Sequence, residues 1–284
     1  MVIDFRCRPP TKYFLDYFDA PRVGWMAARL GAPQLSPSFL KGSMDLFWEE
    51  MDESGIGIGV VLGRNSPAVF MGKQFNEAYI PNEHIAELQA KYPSRLIGFG
   101  GIDASNTKHD AVKETVRCIE KLGLSGIFVE PGRQLLSHPA DERLNALYEA
   151  CIDLNVPVVV MSGPYAGADI GASHPIQIDQ LATRYPGLKI VLGHGAWPWI
   201  EGILAVAFKH PNVFISPDIY FFAPGSEGYV QALGGALQDQ FLFATAFPLR
   251  PLGQTVSDCQ KFPVTKDVAD KFFFKNARRL LDLD

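Results

Sequence analysis

Short apolar runs rich in β-branched and aromatic residues recur along the chain, at residues 2–5, 58–62, 96–102, 126–129, 157–161, 188–192, 212–215 and 240–245. They are nearly continuous in apolar residues, as strands buried on both faces are. Between them lie stretches with helical spacing. Residues 43–54 begin at Ser43, a good N-cap, and stop at Gly55. Residues 76–92 carry Ile80, Ile85 and Leu88 on one stripe and end before Pro93. Further helical stretches cover 107–122, 141–154, 175–185, 198–210 and 226–237.

Strands alternating with helices predict right-handed crossovers and a parallel sheet. Eight such units in 284 residues predict an α/β fold, a (β/α)8 TIM-type barrel forming one domain over residues 1–284. A doubly wound open sheet is the rival, but no Gly-rich dinucleotide fingerprint follows any strand. Residues 11–40, between the first strand and its helix, form a long, aromatic-rich first βα loop, and loops of that length tend to be functional.

Composition adds exclusions. A net charge of −5 and a pI near 5.7 argue against nucleic-acid binding, which uses a basic face. No apolar stretch is long enough to span a bilayer. The N-terminus enters a strand containing Asp4 and Arg6, unlike a secretory signal. Cys7, Cys118, Cys151 and Cys259 are scattered without CxxC spacing, so a cytoplasmic chain with reduced thiols is the expectation.

In a barrel the chemistry gathers where strands end. Those ends carry Arg6 and Arg8, then Arg64 and Asn65, Asp103, Glu130, Met161 and Ser162, His194, Asp218 and Tyr220, and finally Thr245 and Phe247. Arg6 and Arg8 are two apart on a strand and point to one side, with Cys7 on the other. A guanidinium pair repels cations and attracts carboxylates or phosphates.

Several runs resemble the amidohydrolase-2 family, the barrels of aminocarboxymuconate semialdehyde decarboxylase-like and lactonase-like enzymes. They are Ile3-Asp4-x-Arg6-x-Arg8, Val159-Val160-Met161-Ser162-Gly163, Leu192-Gly193-His194-Gly195, Pro211-Asn212-Val213-Phe214 and Leu242-Phe243-Ala244-Thr245-Ala246-Phe247-Pro248. The resemblance implies a metal centre, and here the chain departs from it. Members carry His-x-His where this chain has Arg6 and Arg8, a His at Met161 and an Asp at Ala246; the strand-six His remains as His194. One His and two arginines cannot supply about three N, O or S ligands, so no metal and no other cofactor are expected.

The sequence therefore points to a metal-independent enzyme, with a hydrolase as first expectation. A lyase, an isomerase and a non-catalytic anion-binding barrel are the alternatives. A metal enzyme recruiting Asp103, Glu130, His194 and Asp218 is a further one. The partner is a small anionic metabolite carrying a carboxylate, such as a lactone or related acid. Arg6, Arg8 and Arg64 would clamp it, with Asn65, Met161 and Tyr220 lining the site. His194 would transfer a proton, supported by Asp218, with Glu130 as base or as counter-ion to the arginines. Tyr13, Phe14, Tyr17, Phe18, Trp197 and Trp199 fit either the wall of a ring-shaped pocket or a homodimer surface.

Overall fold

The computed structural model describes residues 1–66 and 78–283. Seven parallel strands form its main sheet in the spatial order β1 (Val2–Cys7), β2 (Ile56–Leu62), β5 (Leu96–Gly101), β6 (Ile127–Val129), β7 (Val158–Met161), β8 (Ile190–Gly193) and β9 (Val213–Ser216). An antiparallel ribbon of β3 (Arg64–Ser66) and β4 (Ala78–Ile80) stands at the top of β2.

The predicted eighth strand is present as a short closing segment. Leu242 N donates to Ile215 O at 3.0 Å, and Phe5 N donates to Phe243 O at 2.9 Å. The segment thus bridges β9 to β1 and closes the TIM-type barrel. It is not a regular strand because its upper end bonds to a side chain: Thr245 N and Oγ1 both donate to the buried Asp4 carboxylate, at 2.9 and 2.5 Å. Burial raises the Asp4 pKa, against the pull of these Thr245 hydrogen bonds.

Apolar side chains divide into two shells. Ile3, Phe5, Val60, Phe99, Phe128, Val159, Val191 and Leu242 fill the barrel interior. Cys7, Val61, Ile127, Val158, Val160, Ile190 and Leu192 face the helices. Against β2, β1 shifts register twice, between Val2 and Ile3 and again between Asp4 and Cys7. Asp4 pairs with Gly59 and Cys7 with Val61, so β1 spends three steps where β2 spends two. This one-residue bulge lets Phe5 and Arg6 both face inward and returns Cys7 to the outer shell.

The predicted helices are present with shifted ends. The helix Met44–Glu53 is capped by Ser43, whose Oγ accepts from Leu46 N at 3.3 Å. The stretch expected over 76–92 becomes β4 followed by the helix Asn82–Lys91, because Pro81 starts the helix; positions 76 and 77 lie outside the described residues. The long first loop folds into three short helices, Lys12–Tyr17, Ala20–Arg29 and Pro37–Lys41. The stretch Lys266–Leu280, which the hydrophobic pattern does not mark, is a helix with a π turn over Lys271–Lys275. No described helix is long and apolar enough to cross a membrane.

Candidate functional site

A pocket of ≈ 140 Å³ opens over the C-terminal ends of the strands. Arg6, Arg8, Arg64, Met161, His194 and Tyr220 line it from the barrel; Tyr17, Phe18, Arg22, Trp25 and Met26 cover it from the first loop. Its size is near the roughly 150 Å³ of cavities that admit one benzene ring.

Five arginines line this pocket, Arg6, Arg8, Arg22, Arg64 and Arg133, and their partners differ. Arg64 presents Nε and Nη2 to Glu130 as a fork, with Nε 2.8 Å from Oε2. Glu130 also meets Arg133 Nη1 at 3.2 Å and accepts from Ser66 Oγ. Burial would raise the Glu130 carboxyl, but Arg64 and Arg133 hold it down to about 2. Glu130 is fully buried and does not line the pocket. Of the two roles expected for it, base and counter-ion, its surroundings are those of a counter-ion: two guanidiniums and a hydroxyl engage the carboxylate.

Arg8 is different. Its Nη1 donates to the carbonyls of Ala246 and Phe247, at 2.8 and 3.1 Å, and its guanidinium lies 4.8 Å from the Phe18 ring centroid. Among the described residues no carboxylate pairs with it, and Nε and Nη2 make no hydrogen bond. Burial, then repulsion from Arg6 and Arg64, bring its pKa down to about 9. Arg8 thus presents an open, strongly polar edge to the pocket.

Arg6 sits lower. Its Nη2 reaches the Met161 sulfur at 3.2 Å, and its Nη1 lies 3.6 Å from Asp218 Oδ2, an ion pair beyond hydrogen-bonding distance. Nε and Nη1 are shut off from solvent. Burial lowers its pKa, with Asp218 opposing. Arg6, Arg8 and Arg64 carry three positive charges against the two negative charges of Asp218 and Glu130, an excess of one before Arg133, which shares Glu130.

His194 follows β8 with φ of 73°, and Asp218 follows β9 with φ of 46°. Both are left-handed conformations that non-glycine residues adopt rarely and that cluster at functional sites. They bring His194 Nδ1 within 2.7 Å of Asp218 Oδ1. A carboxylate only accepts, so Nδ1 carries the proton, and Nε2, without a hydrogen bond among the described residues, is left as the acceptor. Burial, then the Arg6 charge, hold the imidazole down to about 4, against Asp218. His194 is thus a neutral base at neutral pH. Tyr220 packs edge-on to it at 5.2 Å and stacks on Trp197 at 5.4 Å; burial raises its hydroxyl, which stays protonated.

Some expected residues lie elsewhere. Asn65 turns away from the pocket because the β3–β4 ribbon aims its amide at Gly101 O, 2.7 Å away, so it is structural. Asp103 accepts from Ser105 and Lys108 within its own turn. Phe14 is buried in the outer shell, and Tyr13 and Trp199 pack against His84 and His174. Sequence reasoning missed Arg133, Tyr165, Arg22, Trp25, Met26, Ile219 and Leu249. Only Arg133 carried a usable signal, three residues after Glu130 at the start of a βα loop.

The gathered residues do not fit a metal ion. The positions where the resemblance implied ligands hold two guanidiniums, a thioether and a methyl group, and among the described residues no three His, Cys, Asp or Glu are placed around one point.

Comparison with known proteins agrees with the architecture. Residues 55–283 match the sequence profile of the amidohydrolase family. An uncharacterized TIM-barrel protein from Bordetella bronchiseptica is 35% identical, with 99% of this chain and 98% of that one covered and a TM-score of 0.89. A 2,6-dihydroxybenzoate decarboxylase from Rhizobium shares the fold at 20% identity, covering 84% and 88% of the two chains, TM-score 0.66. So does a manganese-bound 5-carboxyvanillate decarboxylase from Novosphingobium aromaticivorans, at 17% identity, covering 100% and 96%, TM-score 0.66. No curated protein matches the chain. The profile match spans most of the sequence, and the chain belongs to the amidohydrolase family.

Proposed function

We propose that the protein is a metal-independent enzyme of this family, a hydrolase acting on a small carboxylate-bearing substrate such as a lactone. One observation carries the reading: the neutral His194, braced by Asp218, and the open edge of Arg8 face the same small pocket. The substrate carboxylate docks on Arg8, with Nη1 of Arg64, which makes no hydrogen bond among the described residues, as the second donor. His194 Nε2 takes a proton from a water molecule as its oxygen adds to the lactone carbonyl carbon; collapse of the tetrahedral oxyanion breaks the ring C–O bond, and the imidazolium, stabilised meanwhile by Asp218, returns the proton to the leaving ring oxygen. Charge developing on the attacked carbonyl oxygen is met by the arginine excess. Tyr220 offers its hydroxyl as a neutral donor.

A lyase is the second reading, favoured by the dihydroxybenzoate and carboxyvanillate decarboxylases among the proteins that share the fold. Decarboxylation needs an acid to protonate the carbanion left by CO2, and an imidazole held near 4 is a poor donor at neutral pH. For that reason hydrolysis ranks first.

The test is a turnover screen of lactones and aromatic acids with chelator-treated protein. Ring-opened acid as product supports hydrolysis, and released CO2 supports the lyase. Turnover that appears only on adding zinc or manganese sinks metal independence.

A further inference from the structure

The five positions at which the family resemblance implies metal ligands are brought together in the structure, and two guanidiniums fill the space among them. Arg6 Nη2 is 3.2 Å from the Met161 sulfur, and Arg8 Nη1 is 2.8 Å from the Ala246 carbonyl. Arg6 Nη1 faces Asp218 Oδ2 at 3.6 Å and lies over Gly193, the residue before His194: a β-carbon there would come within 2.3 Å of that nitrogen. The β1 bulge is what turns Arg6 into this position.

We propose that Arg6 is a positioning residue that serves as a tethered cation. Its guanidinium stands where a metal ion would otherwise sit, holds Asp218 and through it His194, and keeps divalent metals out. Arg8, not Arg6, then receives the substrate. Three observations support this division. Arg6 Nε and Nη1 are closed to solvent and cannot meet a ligand in the pocket. The carboxylate beside Arg6 is Asp218, which among the described residues has no other guanidinium or ammonium at this range. Arg8 has an open edge and, among the described residues, no carboxylate partner.

Two measurements test it, neither requiring a substrate, so the outcome is independent of the reaction assigned above. The first is zinc uptake by two variants, R8H/M161H/A246D and R6L/R8H/M161H/A246D, followed by calorimetry and metal analysis. The variant lacking Arg6 should bind zinc about a hundredfold or more tightly than the one retaining it, because a fixed positive charge at contact range opposes a dication. Equal affinity overturns the proposal. The second is a stability cycle of Arg6→Met, Asp218→Asn and the pair. Arg6→Met should lower the unfolding midpoint, and adding Asp218→Asn should recover most of the loss, since the orphaned carboxylate is then neutral. Additive losses overturn the proposal, and this cycle decides between the two outcomes even where the zinc variants do not fold.

Discussion

His194 Nδ1 and Asp218 Oδ1 stand 2.7 Å apart at the floor of the pocket, with both residues in left-handed backbone conformations. The pair fixes the tautomer and leaves Nε2 as the acceptor. Under the proposed mechanism, His194→Asn lowers kcat by about 100- to 10,000-fold, the usual range for losing a general base. The same residue has a pH signature independent of any substrate. Its folded pKa, about 4, lies below the ordinary 6.5, so between these values the unfolded chain binds the extra proton. Stability from His194 is full above pH 6.5 and is lost as pH falls toward 4, on the order of 3 kcal/mol in all. Urea denaturation across this window should show that loss in the wild type and less of it in His194→Asn. Equal slopes would remove the assignment of a depressed imidazole.

Arg8 predicts a separation of binding from stability. It has no carboxylate partner among the described residues, and Arg6 and Arg64 repel it, so Arg8→Met should leave the unfolding midpoint unchanged or raise it. Carboxylate affinity should fall about 10- to 100-fold, the equivalent of one charge-assisted hydrogen bond at about 1.5–3 kcal/mol. A thermal-shift titration of the variant against a panel of small carboxylates checks both. Because Arg8 is held to about 9, the wild-type affinity is present below that pH and declines as pH rises through it. Affinity that stays flat to pH 10 would argue against Arg8 as the docking group.

Much of this arrangement was legible in the sequence because a parallel barrel puts its strand ends in one place. Arg6, Arg8, Arg64, Met161, His194 and Tyr220 could be gathered by that rule alone. Asn65 was misread because it sits one residue into an antiparallel ribbon, where the side chain follows β3 and not the barrel. The division between Arg6 and Arg8 was hidden as well. Spacing places both on one face of β1, but Arg6 faces Asp218 while Arg8 reaches the carbonyls of Ala246 and Phe247, and one strand's sequence does not reveal a register shift against its neighbour. Arg22, Trp25 and Met26 reach the pocket through the packing of the helix Ala20–Arg29, which depends on contacts far away in the chain.

Glu130 gives a prediction opposite to that for a base. It carries Arg64 and Arg133 in a buried site, so Glu130→Gln leaves two guanidiniums without their anion. Breaking such a pair costs about 3–5 kcal/mol. Thermal or urea unfolding should show the loss directly. The carboxyl titrates at about 2 in the folded chain, below its ordinary value, so its stabilisation is present above pH 4.5 and disappears as pH falls toward 2. A variant of wild-type stability with lost turnover would restore Glu130 as a base.

Gly193 offers a sign test for the seat of Arg6. Its backbone is an ordinary strand conformation with no left-handed φ, and in such a place alanine is usually better than glycine by about 0.5–1 kcal/mol. Here the added methyl would stand 2.3 Å from Arg6 Nη1. The guanidinium cannot yield freely, since Met161 and Asp218 hold it from other sides and it is almost wholly buried. Gly193→Ala should therefore destabilise, by about 1–3 kcal/mol as overpacking does. In the Arg6→Met background, where a flexible, uncharged chain replaces the fork, most of that cost should vanish. The cycle is read by denaturant midpoints. A stabilising Gly193→Ala, or a cost that is the same in both backgrounds, would show that Arg6 does not rest on this glycine.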